Sequence, residues 1–198
     1  MDIQGKNGNT AVDFKVDSEG VALVKQSTAK YETSVLEENV FTGANLLGTP
    51  VTTQAGLSAT TPALTLYNPV GSGVDLVLLT VTTDITTAPA AAAGLCLAYN
   101  LKNATPPATT TAANVTSNII GNTASPQGQC YRIATLAAAP LAFRFLGGTT
   151  GAAAISGVQL IDHIDGEYII PEGVAISIQG SSAAAIVASF SWKEISNA

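Results

Sequence analysis

Charge is what this sequence has least of. Only 11% of its 198 residues are Asp, Glu, Lys or Arg, against roughly 25% in an ordinary soluble domain. The shortage is local. Residues 1–41 hold four lysines and seven acidic residues, whereas residues 42–161 hold five charges in all: Asp75, Asp84, Lys102, Arg132 and Arg144. So neutral a stretch has little electrostatic protection against association. It is expected to bury much of its surface against copies of itself or against a partner.

Basic residues do not cluster, and the net charge is −6. Phosphate neutralisation needs clustered Lys and Arg, so nucleic acid is not an expected partner. No apolar run reaches the ~18–20 residues needed to span a bilayer, and no membrane contact is expected. The opening Met1-Asp2-Ile3-Gln4 lacks the basic end and apolar core of a secretory signal, which points to synthesis and assembly in a cytosol.

Groups that do chemistry are equally scarce. The one histidine, His163, stands between Asp162 and Asp165, but in a strand it points away from Asp162, and no Gly-x-Ser-x-Gly elbow accompanies it. Asp162, Asp165 and Glu167 surround an Asp-Gly turn. Their spacing lacks the calcium-loop pattern and reads as a solvated hairpin tip. Cys96 and Cys130 are the only cysteines, and in a reducing compartment they read as small buried hydrophobes. Gly71-Ser72-Gly73 precedes a strand, where a phosphate loop would precede a helix. No catalytic residue, cofactor or metal is therefore expected, and the chain reads as non-enzymatic.

What the sequence does have is β texture. Residues 1–41 form an arm: Phe14-Lys15-Val16 and Val21-Ala22-Leu23-Val24 flank a turn cluster, predicting a small hairpin. The arm has no core of its own, so Val16, Leu23, Val40 and Phe41 are the expected partner-binding anchors. Residues 42–198 then run as short apolar stretches divided by Gly, Pro, Asn and Thr. Val74 to Val81 is apolar on both faces, predicting a central strand. Val77, Leu79 and Val81 are assigned to an oligomer interface, opposite Val74, Leu76 and Leu78 in the core.

Residues 103–128 read as a long loop, with room for one short strand. Near the end, Ile186, Ala188, Phe190 and Trp192 alternate with Val187, Ser189, Ser191 and Lys193, a period of two. The sum is an all-β antiparallel sandwich or jelly roll of about eight strands, with an N-terminal extended arm and small hairpin.

Three stretches carry a family resemblance: Leu66-Tyr67-Asn68-Pro69-Val70-Gly71-Ser72-Gly73 before an apolar strand, Pro171-Glu172-Gly173 before Val174-Ala175-Ile176-Ser177-Ile178, and the closing Phe190-Ser191-Trp192-Lys193-Glu194-Ile195. Together they resemble capsid decoration (cement) proteins of tailed phages. The resemblance implies a homotrimer on the capsid surface of the virion. It would bridge major capsid protein subunits, assembled in the bacterial host cytoplasm, with the arm gripping the shell. The alternative is a tail or fibre component that binds a host glycan or a neighbouring tail protein through the 103–128 loop and Trp192.

Overall fold

The computed structural model describes residues 4–7, 10–13, 30–46, 48–60, 62–87, 89, 91–102, 105–149 and 158–197. The chain divides into two units, Met1–Thr33 and Ser34–Ala198. In the first, β1 (Gln4–Asn7) and β2 (Thr10–Asp13) pair antiparallel, Gln4 opposite Asp13. This hairpin lies ahead of the one read from the sequence. Residues 14–24, including Val16 and Leu23, lie outside the described residues. The short helix α1 (Glu32–Leu36) spans the division. It stops where Glu38 takes a left-handed φ of 60° and donates its amide to Val35 O at 2.9 Å, a common way to end a helix.

The second unit is built from β3 (Val40–Ala44), β4 (Val51–Thr52), β5 (Thr65–Tyr67), β6 (Val74–Thr87), β7 (Ala93–Asn100), β8 (Ala108–Ala112), β9 (Asn114–Ser117), β10 (Gln129–Thr135), β11 (Leu141–Thr149), β12 (Val158–His163), β13 (Ile169–Ile170), β14 (Ala175–Gly180) and β15 (Ala185–Ser196). Two antiparallel sheets face each other. One runs β11-β7-β14-β5-β10-β8; the other runs β12-β6-β15-β3-β9, with β13 on β6 and β4 on β15. Setting aside β4, β8, β9, β10 and β13 leaves eight strands. In chain order, one sheet takes the sixth, third, eighth and first, the other the fifth, fourth, seventh and second. That interleaving is the jelly roll.

The core lies between the sheets. β15 contributes Ile186, Ala188, Phe190 and Trp192, all buried, while Val187, Ser189, Ser191 and Lys193 are half-exposed, as the alternation predicts. β6 departs from simple alternation. Trp192 pairs with Leu78 and Ser191 with Thr80, so Leu79 is a bulge residue. The extra residue reverses the strand's parity. Leu76, Leu78, Val81, Thr83 and Ile85 all end up buried. This corrects the expected outward face: Val81 is 1% exposed in the core, and Leu79 is 4% exposed beneath the turn whose Ile164 and Asp165 amides bond to its carbonyl.

Val40 and Phe41 are likewise placed inside. They open β3, pair with Lys193 and Trp192 of β15, and are 1% and 3% exposed. The Phe41 ring lies 6.1 Å from that of Trp192. Neither residue has surface left for a partner, so as arm anchors both are corrected to core residues, and the sandwich begins ahead of residue 42.

The 103–128 segment is also more structured than a loop. It supplies β8 to the edge of one sheet and β9 to the edge of the other, with Ala113 between them. β14 is buried on both faces, because the chain ahead of β5 crosses its outer side. Gly56 donates its amide to Gly180 O, and Ser58 N bonds Gln179 Oε1 at 3.0 Å. Gln179, 1% exposed, is satisfied through Ser58 and Ser177, as a buried amide must be.

Candidate functional site: apolar surfaces around one edge strand

His163 ends β12 opposite Thr80 and is exposed. The neighbouring Asp162 carboxylate is held by Arg144 instead, Nε to Oδ2 at 2.6 Å and Nη2 to Oδ1 at 3.0 Å. Arg144 also reaches Glu167 Oε2 at 2.6 Å. The guanidinium thus supplies the positive charge that a metal ion would have brought to this turn. Hydrogen bonding to Asp162, then to Tyr168, shifts the Arg144 pKa upward, and it stays charged at every working pH. No group of three His, Cys, Asp or Glu among the described residues is placed to hold a metal.

Cys96 and Cys130 are free thiols. They sit on β7 and β10 with β14 and β5 between, three strand spacings or about 14 Å apart, too far for a disulfide. Burial pushes the Cys130 thiol up to about 12, which makes it inert as a nucleophile. Trp192 is fully buried and donates Nε1–H to Glu194 Oε1 at 3.2 Å. It offers no face for stacking on a sugar.

What the unit offers is surface. Edge strand β11 has an apolar depression on each side. On the core side, Phe143 stands edge-on to Tyr99 (5.9 Å, 72°) and to Tyr168 (4.9 Å, 76°). These rings, with Ile169, Pro171 and Ile176, line a groove of about 380 Å³. Arg144 lies over the Tyr168 ring at 5.7 Å, tying the groove to the Asp162 and Glu167 carboxylates. On the outer side, Phe145 is 83% exposed. Beside it is a hollow of about 280 Å³, lined also by Leu57, Gly94, Cys96, Ala142 and Gly180.

The groove wall is set by a buried asparagine and a half-exposed glutamate. Asn68 is fully buried; its Nδ2 donates to Val74 O at 2.8 Å and to Ile170 O at 2.9 Å. Glu172, next to Pro171, accepts amides from Gly71 (3.0 Å) and Gly73 (2.8 Å). Both glycines have left-handed φ, 80° and 72°, which turns their N–H groups to the same carboxylate; a side chain there would be strained. Those two bonds, Gly71's first, draw the Glu172 carboxyl below its ordinary value.

A depressed folded-state pKa stabilises the fold above the unfolded value of about 4.3 and loses that effect as pH falls through the folded value. Glu172→Gln is therefore expected to lower the urea midpoint at pH 7 slightly, with the gap narrowing as the pH is taken down toward 3. A gap that stays constant between the two pH values would show that the carboxylate charge is irrelevant.

The opposite face, the outer side of the β6–β15–β3 sheet, is a bed of hydroxyls. Thr82 shares a hydrogen bond with Ser189 at 2.5 Å, and Thr42 with Ser191 at 2.8 Å. Asp84 is the carboxylate in its shallow depression, and Asp84 Oδ1 is sheltered without a hydrogen-bond partner.

Of the three residues assigned to an oligomer interface, Val77 alone keeps partial exposure, with Ile169 as its neighbour on β13. The depressions beside β11 were not anticipated from the sequence. In the sequence Phe143 and Phe145 are two apart, which a regular strand puts on one face; the bulge between Ala142 and Arg144 is what sends them to opposite sides. Compared with protein-family models, curated proteins and solved structures, the chain gives no match.

Proposed function

We propose that this chain is a non-enzymatic virion structural protein, a capsid decoration protein that self-associates and bridges major capsid subunits on a phage head. One observation carries the reading. Among the described residues of the 42–161 stretch, nine large hydrophobic side chains are exposed: Leu46, Leu57, Val70, Leu101, Ile120, Ile133, Leu141, Phe145 and Ile161. Against them stands one exposed charge, Lys102. Asp75, Asp84, Arg132 and Arg144 are all half-buried.

Single exposed hydrophobics are ordinary, but so many against one charge describe a surface suited to being covered by protein. Burial of that surface, at roughly 25 cal/mol per Å² before association costs, is the work such a protein does.

The test is co-sedimentation with expanded phage heads that lack the protein, followed by cryo-EM of the pellet. The expected result is saturable binding at repeated outer-surface positions. Bare heads at micromolar protein would overturn the shell assignment.

A second reading, a tail or fibre component, draws on the Tyr99, Phe143 and Tyr168 groove, whose rings could stack on a ligand. Trp192 is buried and offers it no face, whereas the 103–128 segment supplies the edge strands β8 and β9 and keeps exposed side chains, Ile120 among them. Coating of host cells together with bare heads is the outcome that favours it.

A further inference from the structure

We infer that residues 54–60 form a strap that lifts off the outer face of the sandwich while both sheets stay folded. The strap is fixed at its two ends. Before it, buried Thr53 donates its hydroxyl to Ser182 O at 2.9 Å and accepts the Ala184 amide at 3.0 Å. After it, buried Ala63 donates its amide to Ile178 O at 3.1 Å. Between these points the chain passes from β14 across β5 to the end of β10. Gly56 N reaches Gly180 O, Ser58 meets Gln179, and Ala59 O accepts the Leu136 amide at 2.7 Å.

What holds the strap down is slight. None of residues 54–60 is buried, and Leu57, its one large apolar side chain, is 42% exposed. Ala59 packs against the small cluster of Tyr67, Leu136 and Ala175. Apolar burial, the dominant favourable contribution to a fold, is therefore small here. Among the described residues, four hydrogen bonds join the strap to the sheet: the one from Gly56, the one from Leu136 and the pair between Ser58 and Gln179. Each is exchanged for bonds to water when the strap lifts, so each adds only a modest net stabilisation.

What lies beneath favours release. The outer row of the sheet is polar here: Thr65 stands opposite Ser177, and Gln179 is the next residue of β14 on that face. All three are buried. Gln179 takes the Ser58 amide at Oε1, 3.0 Å, and gives Nε2–H to Ser58 O at 3.2 Å and Ser177 Oγ at 2.9 Å. The Thr65 hydroxyl is buried without a hydrogen-bond partner, which forfeits its hydration. A cover over aliphatic side chains gains by staying shut. Over this row, water that reaches Thr65, Ser177 and Gln179 offsets the bonds lost. Segments with so few buried contacts open locally, well below the free energy of global unfolding. Lifted, the strap frees both ends of the Gln179 amide for another extended backbone, because Ser58 engages them through main-chain atoms alone.

The experiment is native-state hydrogen exchange of the full chain by NMR, at urea concentrations below the unfolding transition. The reporters are the Gly56, Ser58 and Leu136 amides. The reference is the Ala63 and Ile178 amides, bonded to Ile178 O and Leu64 O. The reporters are expected to exchange about a hundredfold faster than the reference, or more, with little dependence on urea, since lifting the strap exposes little surface. Gln179→Ala removes both bonds to Ser58 and is expected to speed exchange at Gly56 and Leu136 about tenfold.

Reporters that exchange at the reference rate, with the reference's urea dependence, would show that the segment opens only with the sandwich and would overturn the inference. Gly56 and Leu136 rates unmoved by Gln179→Ala would overturn it too. If that variant fails to fold, the urea series on the parent decides alone.

Discussion

Deleting residues 1–41 is expected to abolish the cooperative unfolding transition, while deleting residues 1–33 leaves it in place. The difference lies in eight residues. Val40 and Phe41, 1% and 3% exposed, open β3 and pair with Lys193 and Trp192 on one side; Phe41 also pairs with Ser117 on the other. Fully burying a side chain of this size contributes about 1.5–3 kcal/mol. The two together thus represent a large part of the roughly 5–15 kcal/mol that holds a domain folded.

The longer deletion also strips partners from β15 and β9, leaving ladder groups unpaired. Differential scanning calorimetry and far-UV circular dichroism of both truncations make the comparison. A folded, cooperative product of the longer deletion would mean that β3 does not belong to the core.

The second large effect belongs to Trp192. Alanine there is expected to cost about 3–5 kcal/mol, read as a lowered denaturant midpoint with an unchanged slope. The indole is fully buried and is the residue around which several elements close. Phe41 lies against it. Gly43 and Gly128 come so near that a Cβ on either would stand 3.2 or 3.1 Å from the ring. Glu194 accepts its Nε1–H together with the Gln127 and Gly128 amides. Trp192→Ala therefore empties a site walled in part by the backbone of Gly43 and Gly128, which limits how far it can collapse. A loss below about 1 kcal/mol would contradict the packing described.

The parts of this fold that were legible in the sequence are those where one face of a strand meets the core and the other meets water. β15 is the plainest, because Ile186, Ala188, Phe190 and Trp192 alternate with smaller or polar residues. β14 gave the same alternation, yet Ser177 and Gln179 are as buried as Ile176 and Ile178. The covering segment is made of Ala, Gly, Leu and Ser, and nothing in such a composition announces that it lies across a sheet. β6 misled for a different reason. A single bulge at Leu79 moves Val81 from one face to the other, and an unbroken apolar run hides the slip.

β3 was missed because Val40-Phe41-Thr42-Gly43-Ala44 is short and follows a polar segment, so its two large residues looked like an arm in need of a partner. The surfaces beside β11 depended on tertiary placement. Phe143 and Phe145 are chemically identical, and only the rest of the fold decides which is sheltered by Tyr99 and Tyr168 and which is left bare. Glu172 was visible as part of a Pro-Glu-Gly turn, but its two amide donors lie about a hundred positions away in the chain, 101 for Gly71 and 99 for Gly73.

The strand added by the 103–128 insert bears on mechanics. β3 has β15 along one edge and β9 along the other, so tension in the chain ahead of Val40 pulls on a strand clamped from both sides. The force runs along β3, across the direction of its hydrogen bonds, and both ladders resist in shear. Their bonds share the load and fail together, whereas a peeled edge strand would surrender them one at a time.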